Sequence, residues 1–280
     1  MSRARNSMRI HRITLKALAI LVCACMAAPG FGGDASKPVD PDIDERMISA
    51  GFLNSHPDLR YRLLGLEESR QGKHANAFRF FQRAAYYGDK PSQGMVAEML
   101  WNGSGVAPSR PQAYAWMDLA AERGYQGFLI LRERYWNALA EAERTEALAQ
   151  GAAIYAAYGD AAAQPRLARV LRRERRRMTG SKTGFAGTLK ITVPGPAGFE
   201  DIDGSKFYDE KFWNPKMYQA WHDSIWMKPR IGQVTIGELE RVPDANDQRS
   251  RVPAVKPATD AQEPETPPVD ETGLGMPQDD

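Results

Sequence analysis

The densest set of groups able to move a proton lies in Trp221-His222-Asp223-Ser224-Ile225-Trp226, with Tyr208, Glu210 and Tyr218 nearby. An imidazole beside a carboxylate is what general acid–base catalysis uses. The same stretch carries a second pattern. Tyr208, Phe212, Trp213, Met217, Trp221, Ile225 and Trp226 recur at helical spacings, an apolar stripe that needs a surface to pack on. Packing is the simpler assignment, and it leaves His222 partly exposed with no chemical duty. His56 and His74 stand apart, with no second His or Cys at ligand spacing, so neither a metal nor a cofactor is expected. Ser181-Lys182-Thr183-Gly184 lacks the Gly before Lys that a phosphate loop needs. No Ser-x-x-Lys occurs to supply the nucleophile that accompanies a Lys-Thr-Gly triplet, and no His-Glu-x-x-His or Gly-x-Ser-x-Gly is present. An enzyme is therefore not expected. The alternative class, a degenerate enzyme or enzyme regulator, would use residues 185–240.

The elements around these residues follow a different logic. Ala113, Trp116, Ala120, Ala121 and Gly124 reproduce Ala77, Phe80, Ala84, Ala85 and Gly88 at a constant offset of 36 residues. A period of that length is the mark of stacked helix pairs. The spacing places the apolar positions on one helical face, and the paired alanines let a neighbouring helix approach closely. Gly88 and Gly124 fall where a helix needs a left-handed residue to stop. A third, degraded copy puts Gln164, Leu167, Ala168 and Leu171 after Gly159, as Gln93, Val96, Ala97 and Leu100 follow Gly88.

The stretch Ala97-x-x-Leu100-x-x-Gly103-x-Gly105-Val106, six residues, then Ala113-x-x-Trp116-x-x-x-Ala120-Ala121-x-x-Gly124 resembles a nearly complete Sel-one-like repeat (SLR), of the family related to tetratricopeptide repeats. The preceding copy keeps its second helix but carries Gly72-Lys73-His74-Ala75 at the turn, and the third has Asn137 to Ala147 in its place. The resemblance spans roughly residues 58 to 177 and implies an αα-solenoid acting as a protein-binding adaptor, with no catalytic residues to carry over. Polar positions off the apolar face of the second helices, Arg79, Gln82, Arg83, Tyr114, Asp118 and Arg123, are the candidates for binding a protein or peptide.

Residues 1–33 read as a secretory signal. Arg3, Arg5, Arg9, Arg12 and Lys16 precede an apolar run from Ala17 to Ala28, then Pro29 and Gly30. Cleavage near Ala27 or Gly30 would export the protein to a bacterial periplasm and remove both cysteines, Cys23 and Cys25, leaving no thiol. Alternatively Val22-Cys23-Ala24-Cys25 is similar to a lipoprotein box, and lipid on Cys25 would make a tethered structural envelope protein.

Composition divides the rest into a polar lead-in (34–46), the helical array (47–178), a small mixed module (179–242) and a Pro/acidic tail (243–280). Within the module Thr188-Leu189-Lys190-Ile191-Thr192-Val193 alternates like a strand and Pro194-Gly195-Pro196-Ala197-Gly198 breaks it. The aromatics that follow should cap the array by burying Trp213, Trp221 or Trp226 against helices of residues 137–178. The tail lacks large apolar side chains and should be disordered. Net charge is only +2, but it is segregated: arginines crowd positions 166, 169, 172, 173, 175, 176 and 177 and the chain ends Asp279-Asp280. Leu167, Val170 or Leu171, Glu174 and Met178 form the docking side of that helix, so the arginines should face outward, as a solvated face or toward an acidic partner or anionic lipid. Nucleic acid is not expected, because an exported protein rarely meets it.

Fractionation with Cys25→Ser separates the two export routes. Unchanged processing and a mature form outside the cytoplasm are expected, whereas accumulated precursor would establish the lipoprotein.

Overall fold

The computed structural model describes residues 47–48, 50–178, 190–195, 198–227 and 249–268. The signal segment, Cys25 and the lead-in lie outside the described residues. A short 3-10 turn, Phe52–Ser55, leads into α1 (Pro57–Arg70), α2 (His74–Tyr86), α3 (Lys90–Asn102), α4 (Arg110–Ala120), α5 (Gln126–Ala138), α6 (Glu141–Tyr158) and α7 (Asp160–Met178). Strands β1 (Lys190–Gly195) and β2 (Gly198–Asp203) follow, then α8 (Gly204–Phe207), α9 (Glu210–Trp213) and α10 (Pro215–Trp226). The described chain is thus mostly helical, with one two-stranded sheet.

Helix starts are set by residues that satisfy or dispense with the first free amides. Asp89 accepts from the Ser92 amide at 3.0 Å ahead of α3, Ser109 from the Gln112 amide at 3.4 Å ahead of α4, and Asn214 from the Lys216 amide at 3.0 Å ahead of α10. Pro57, Pro91, Pro111 and Pro215 stand in the first turns of α1, α3, α4 and α10, where proline loses nothing.

Every apolar repeat position is interior: Ala77, Phe80, Ala84 and Ala85 on α2, and Ala113, Trp116, Ala120 and Ala121 at the end of α4, are all buried. Helix α2 packs between α1 and α3, and α4 against α3, α5 and α6, so α4 is walled in from Ala113 to Ala121. Trp116 sets its ring 4.7 Å from that of Tyr158. Gly88 and Gly124 are left-handed, at φ 86° and 76°, as the periodic pattern requires. The third copy departs from it. Gly159 is extended, at φ −63°, and its carbonyl accepts from the amides of Ala162 and Ala163, so it opens α7 in place of a left-handed stop.

The Gly103-x-Gly105-Val106 turn has a specific packing reason. Gly103, at φ 70°, caps α3. Gly105, at φ 72°, lies so close to the start of α2 that an added Cβ would sit 2.3 Å from the His74 carbonyl carbon. Gly72, the left-handed residue of the preceding turn at φ 75°, faces open space.

Strands β1 and β2 pair antiparallel, from Lys190 opposite Asp203 to Gly195 opposite Gly198, so Pro194 and Gly195, expected to break the strand, are its last two residues. The aromatic stretch after it packs differently from the expected cap. Phe207, Phe212, Trp213, Tyr218 and Trp221 do meet Leu167 and Leu171 of α7, but they share one core with Met47, Phe52, Leu53 and Leu59 as well. Helix α7 alone offers a narrow apolar stripe, and Phe52, edge-on to Phe207, Phe212 and Trp213, supplies the rest. Trp226 stacks on Phe128 of α5 at 6.0 Å. Among the described residues no helix is long and apolar enough to cross a membrane.

Two glycine substitutions separate conformation from contact. Gly72→Ala should cost about 1–2 kcal/mol, the left-handed penalty alone, whereas Gly105→Ala should cost clearly more, because backbone must move as well. Equal shifts in denaturant midpoint would contradict the packing role of Gly105.

Candidate peptide-binding face

Composition predicts disorder from 243 onward, yet residues 249–268 run without helix or strand over the surface of α2, α4, α5, α6 and α7. The remainder of the tail, 243–248 and 269–280, lies outside the described residues. The segment holds five prolines, at 253, 257, 264, 267 and 268, which bar helix and favour an extended path. What it lacks in apolar bulk it makes up in placed polar contacts.

At its first end the Arg132 guanidinium donates to the Arg249 carbonyl at 3.2 Å, and Ser250 Oγ donates to Asp118 Oδ2. Arg251 makes a two-pronged pair with Glu133, at 2.8 and 2.6 Å, lies 3.4 Å from the Tyr114 hydroxyl, and sets its guanidinium 4.9 Å from the Trp136 ring. Val252 is buried, its methyl in a notch that exists because residue 151 is glycine; a Cβ there would lie 2.5 Å from Val252 Cγ2. Midway, the Ala258 amide donates to the Ala156 carbonyl at 2.7 Å, and the Ala258 carbonyl accepts from Arg166 at 3.2 Å. At the far end Tyr86 donates to the Ala261 carbonyl at 2.7 Å. Arg83 reaches Glu263 at 2.6 Å and also donates to Thr266 Oγ1.

Of the six candidate binding residues, Arg83, Tyr114 and Asp118 meet under this segment. Tyr114 and Asp118 are buried: Tyr114 packs on Trp136 with Arg251 at its hydroxyl, and Asp118 takes Tyr155 as well as Ser250. Arg79 is exposed and Gln82 half-buried beside Arg83 on α2. Arg123 does not belong to this face: its guanidinium holds Asp160 at 2.8 and 2.9 Å and the Gly88 carbonyl at 3.3 Å. Pattern reasoning missed Tyr86, Arg132, Glu133, Gly151 and Arg166. Arg166, grouped with the outward arginines, is instead buried, donating to the Tyr86 carbonyl at 2.8 Å with its guanidinium 3.9 Å from the Tyr86 ring. Only Gly151 left a legible mark, since a glycine inside a helix costs stability unless something needs the space.

Burial pushes the Asp118 carboxyl up, against hydrogen bonds from Ser250 and Tyr155 and the Arg132 charge. Glu133 moves the opposite way. Burial works against its ionised form, but Arg251 and Arg132 hold it below its ordinary range. The face therefore presents a fixed anion for a guanidinium at one end and, in Arg83, a fixed cation for a carboxylate at the other.

A second polar cluster lies where α10 meets α1. Tyr218 donates to Asp58 Oδ2 at 2.8 Å, and His222 Nε2 lies 3.6 Å from the same oxygen. His222 is thus buried against a carboxylate, not partly exposed without a duty. His56 stacks on Phe52 at 3.9 Å, with its ring nitrogens 2.8 and 2.9 Å from the Phe52 and Phe212 carbonyls. Burial lowers the His56 pKa against the pull of Asp58. Burial opposes the ionised form of Asp58 as well, but His222, His56 and Tyr218 together hold its carboxyl below the ordinary range. A cavity of about 330 Å³ adjoins the cluster, lined among others by Asp58, Lys90, Arg123, Asp160 and His222. The Tyr218–Asp58 bond and the two His56 contacts to main chain tie the first helix to the module. Among the described residues no group of three His, Cys, Asp or Glu is placed to hold a metal ion.

No family model, curated protein or solved structure matches this chain.

The reassigned Arg123 yields a stability prediction. With 12% and 18% side-chain exposure for Arg123 and Asp160, Arg123→Ala should cost about 2–3 kcal/mol, below the loss from breaking a fully buried pair. Burial opposes ionisation of Asp160, but Lys90 and Arg123 hold its carboxyl well below its ordinary 3.8. A depressed acid stabilises the fold above the unfolded value and loses that contribution as pH falls. Denaturant midpoints should therefore drop below about pH 4 in the wild type, and less steeply in Asp160→Asn, whose stability is lower throughout.

Proposed function

We propose that this chain is an exported adaptor of Sel-one-like helix pairs, arranged as an αα-solenoid, that binds an extended segment of another envelope protein in the periplasm and catalyses nothing. The repeat reading is supported by the burial of all eight apolar positions that recur at the 36-residue offset and by the left-handed Gly88 and Gly124. The binding reading rests on one observation: residues 249–268, a proline-rich segment with no secondary structure of its own, lie on this face held by both main-chain and side-chain groups. A surface that accommodates one extended segment has the shape and donors to accommodate another.

An enzyme or enzyme regulator built on residues 185–240 has in its favour the buried His222–Asp58 pair beside the cavity. The hydroxyl beside that pair, Tyr218, gives its proton to the same Asp58 oxygen, whereas the face carries a seated segment, so the adaptor reading is preferred. Lipid on Cys25 would add a membrane tether without changing the face.

Site-specific photo-crosslinking tests the proposal in cells. A crosslinker at exposed Arg79 should trap a discrete envelope protein, and one at Glu141, exposed at the start of α6 while the segment is held further along that helix at Gly151 and Ala156, should not. Equal or absent crosslinking from the two positions overturns the reading.

A further inference from the structure

The segment that displays the face also blocks it. Resting on the adaptor reading, we propose that residues 249–268 are an intramolecular ligand occluding the site. The partner supplies in trans an extended, proline-containing segment of the same chemistry: a hydroxyl residue and an arginine ahead of a β-branched residue, with a carboxylate further along. Each feature is read from what the face holds. Asp118 takes the hydroxyl of Ser250, Glu133 takes the guanidinium of Arg251 by both oxygens, the notch over Gly151 takes the branched side chain of Val252, and Arg83 takes the carboxylate of Glu263.

The strap is held at its ends more than along its length. Between its anchors it stands over a cavity of about 660 Å³, lined on the helical side by Glu122, Tyr155, Gly159 and Ala161. Pro253, Ala254 and Lys256 are exposed, and the main-chain hydrogen bond to the helices beyond them is at Ala258. Covalent attachment compensates for so sparse a grip, because a tethered segment binds at an effective concentration in the millimolar range. A partner segment must out-compete that local concentration, by engaging the cavity the strap leaves unfilled or by being itself held nearby. Prolines reduce the ordering cost for both competitors.

Competition in the full-length chain tests this. The probe is a fluorescent synthetic peptide of residues 249–268, titrated into wild-type protein and into full-length Arg251→Glu/Val252→Asp, which releases the strap while leaving the face intact. The peptide should bind the released chain at least about tenfold tighter than the wild type. Equal affinity for the two, or binding to neither, overturns the proposal. Releasing the strap also removes native contacts, so a second pair separates binding from folding. In full-length Glu133→Arg, a peptide carrying Arg251→Glu should bind at least about tenfold tighter than the native peptide, the charges having been exchanged; equal affinity again overturns it. Failure here with a positive Arg79 crosslink leaves a partner-binding face that the strap does not guard, whereas loss of the crosslink removes the adaptor reading itself.

Discussion

Lys90 is fully withdrawn from solvent, and the way its charge is met organises the helical part of the molecule. Its ammonium donates to Gln93 and to the Leu119 carbonyl at 3.1 Å each, to Glu122 at 2.5 Å, and faces Asp160 at 3.2 Å. A buried ammonium is tolerable only where carboxylates and carbonyls replace its hydration. Those replacements come from the start of α3, the end of α4 and the start of α7. Arg123 completes the junction by holding both Asp160 oxygens and the Gly88 carbonyl. Asp89, next to Lys90, caps α3 and takes the Arg62 guanidinium at 2.9 Å, bringing α1 to the same point. The loops at Gly88, Gly124 and Gly159 therefore converge on one charge network, and shifting any helix pair would strand a charge that water cannot reach.

Apolar packing acts around this network in two separate bodies. The larger, centred on α4, gathers Ala77, Val96, Trp116, Leu119 and Ala147. The smaller joins the beginning of the described chain to the module after α7, Phe52 and Leu59 meeting Trp213 and Trp221. Aromatic side chains bring large burial from few residues, which is how two strands and three helices of this size are held on the chain. The Asp58–Tyr218 bond and the His56 contacts to two carbonyls then fix its register on α1, since each buried polar group has few partners within reach.

The strap is fastened by a different balance. Val252 and Pro267 contribute their burial, Ala258 and Ala261 are held through main chain, and placed polar and charged groups hold the ends: Arg251 on Glu133, Glu263 on Arg83, Ser250 on Asp118. Charge-assisted bonds of this kind are directional, so they select a register along the face while leaving most of the strap in solvent. Fastening of that type specifies a sequence more strongly than it stabilises a fold.

Local order was legible in the residues themselves. Ala-x-x-aromatic with paired alanines dictates one buried helical face, glycine at 88 and 124 dictates left-handed stops, and alternation through Lys190 to Val193 dictates a strand; each depends on neighbours a few positions away, where periodicity carries the information. Tertiary structure alone decided which charges are interior and what the tail touches. Asp118 and Tyr114 sit at polar positions of α4, Arg166 stands in sequence among outward arginines, and the tail's composition predicts no order. All three turn out otherwise because residues 249–268 return across 92 to 137 positions of sequence to meet these groups. No local pattern encodes such a contact: the strap's pairing residues are single side chains in a segment without period, and their partners become neighbours only after the helices have packed.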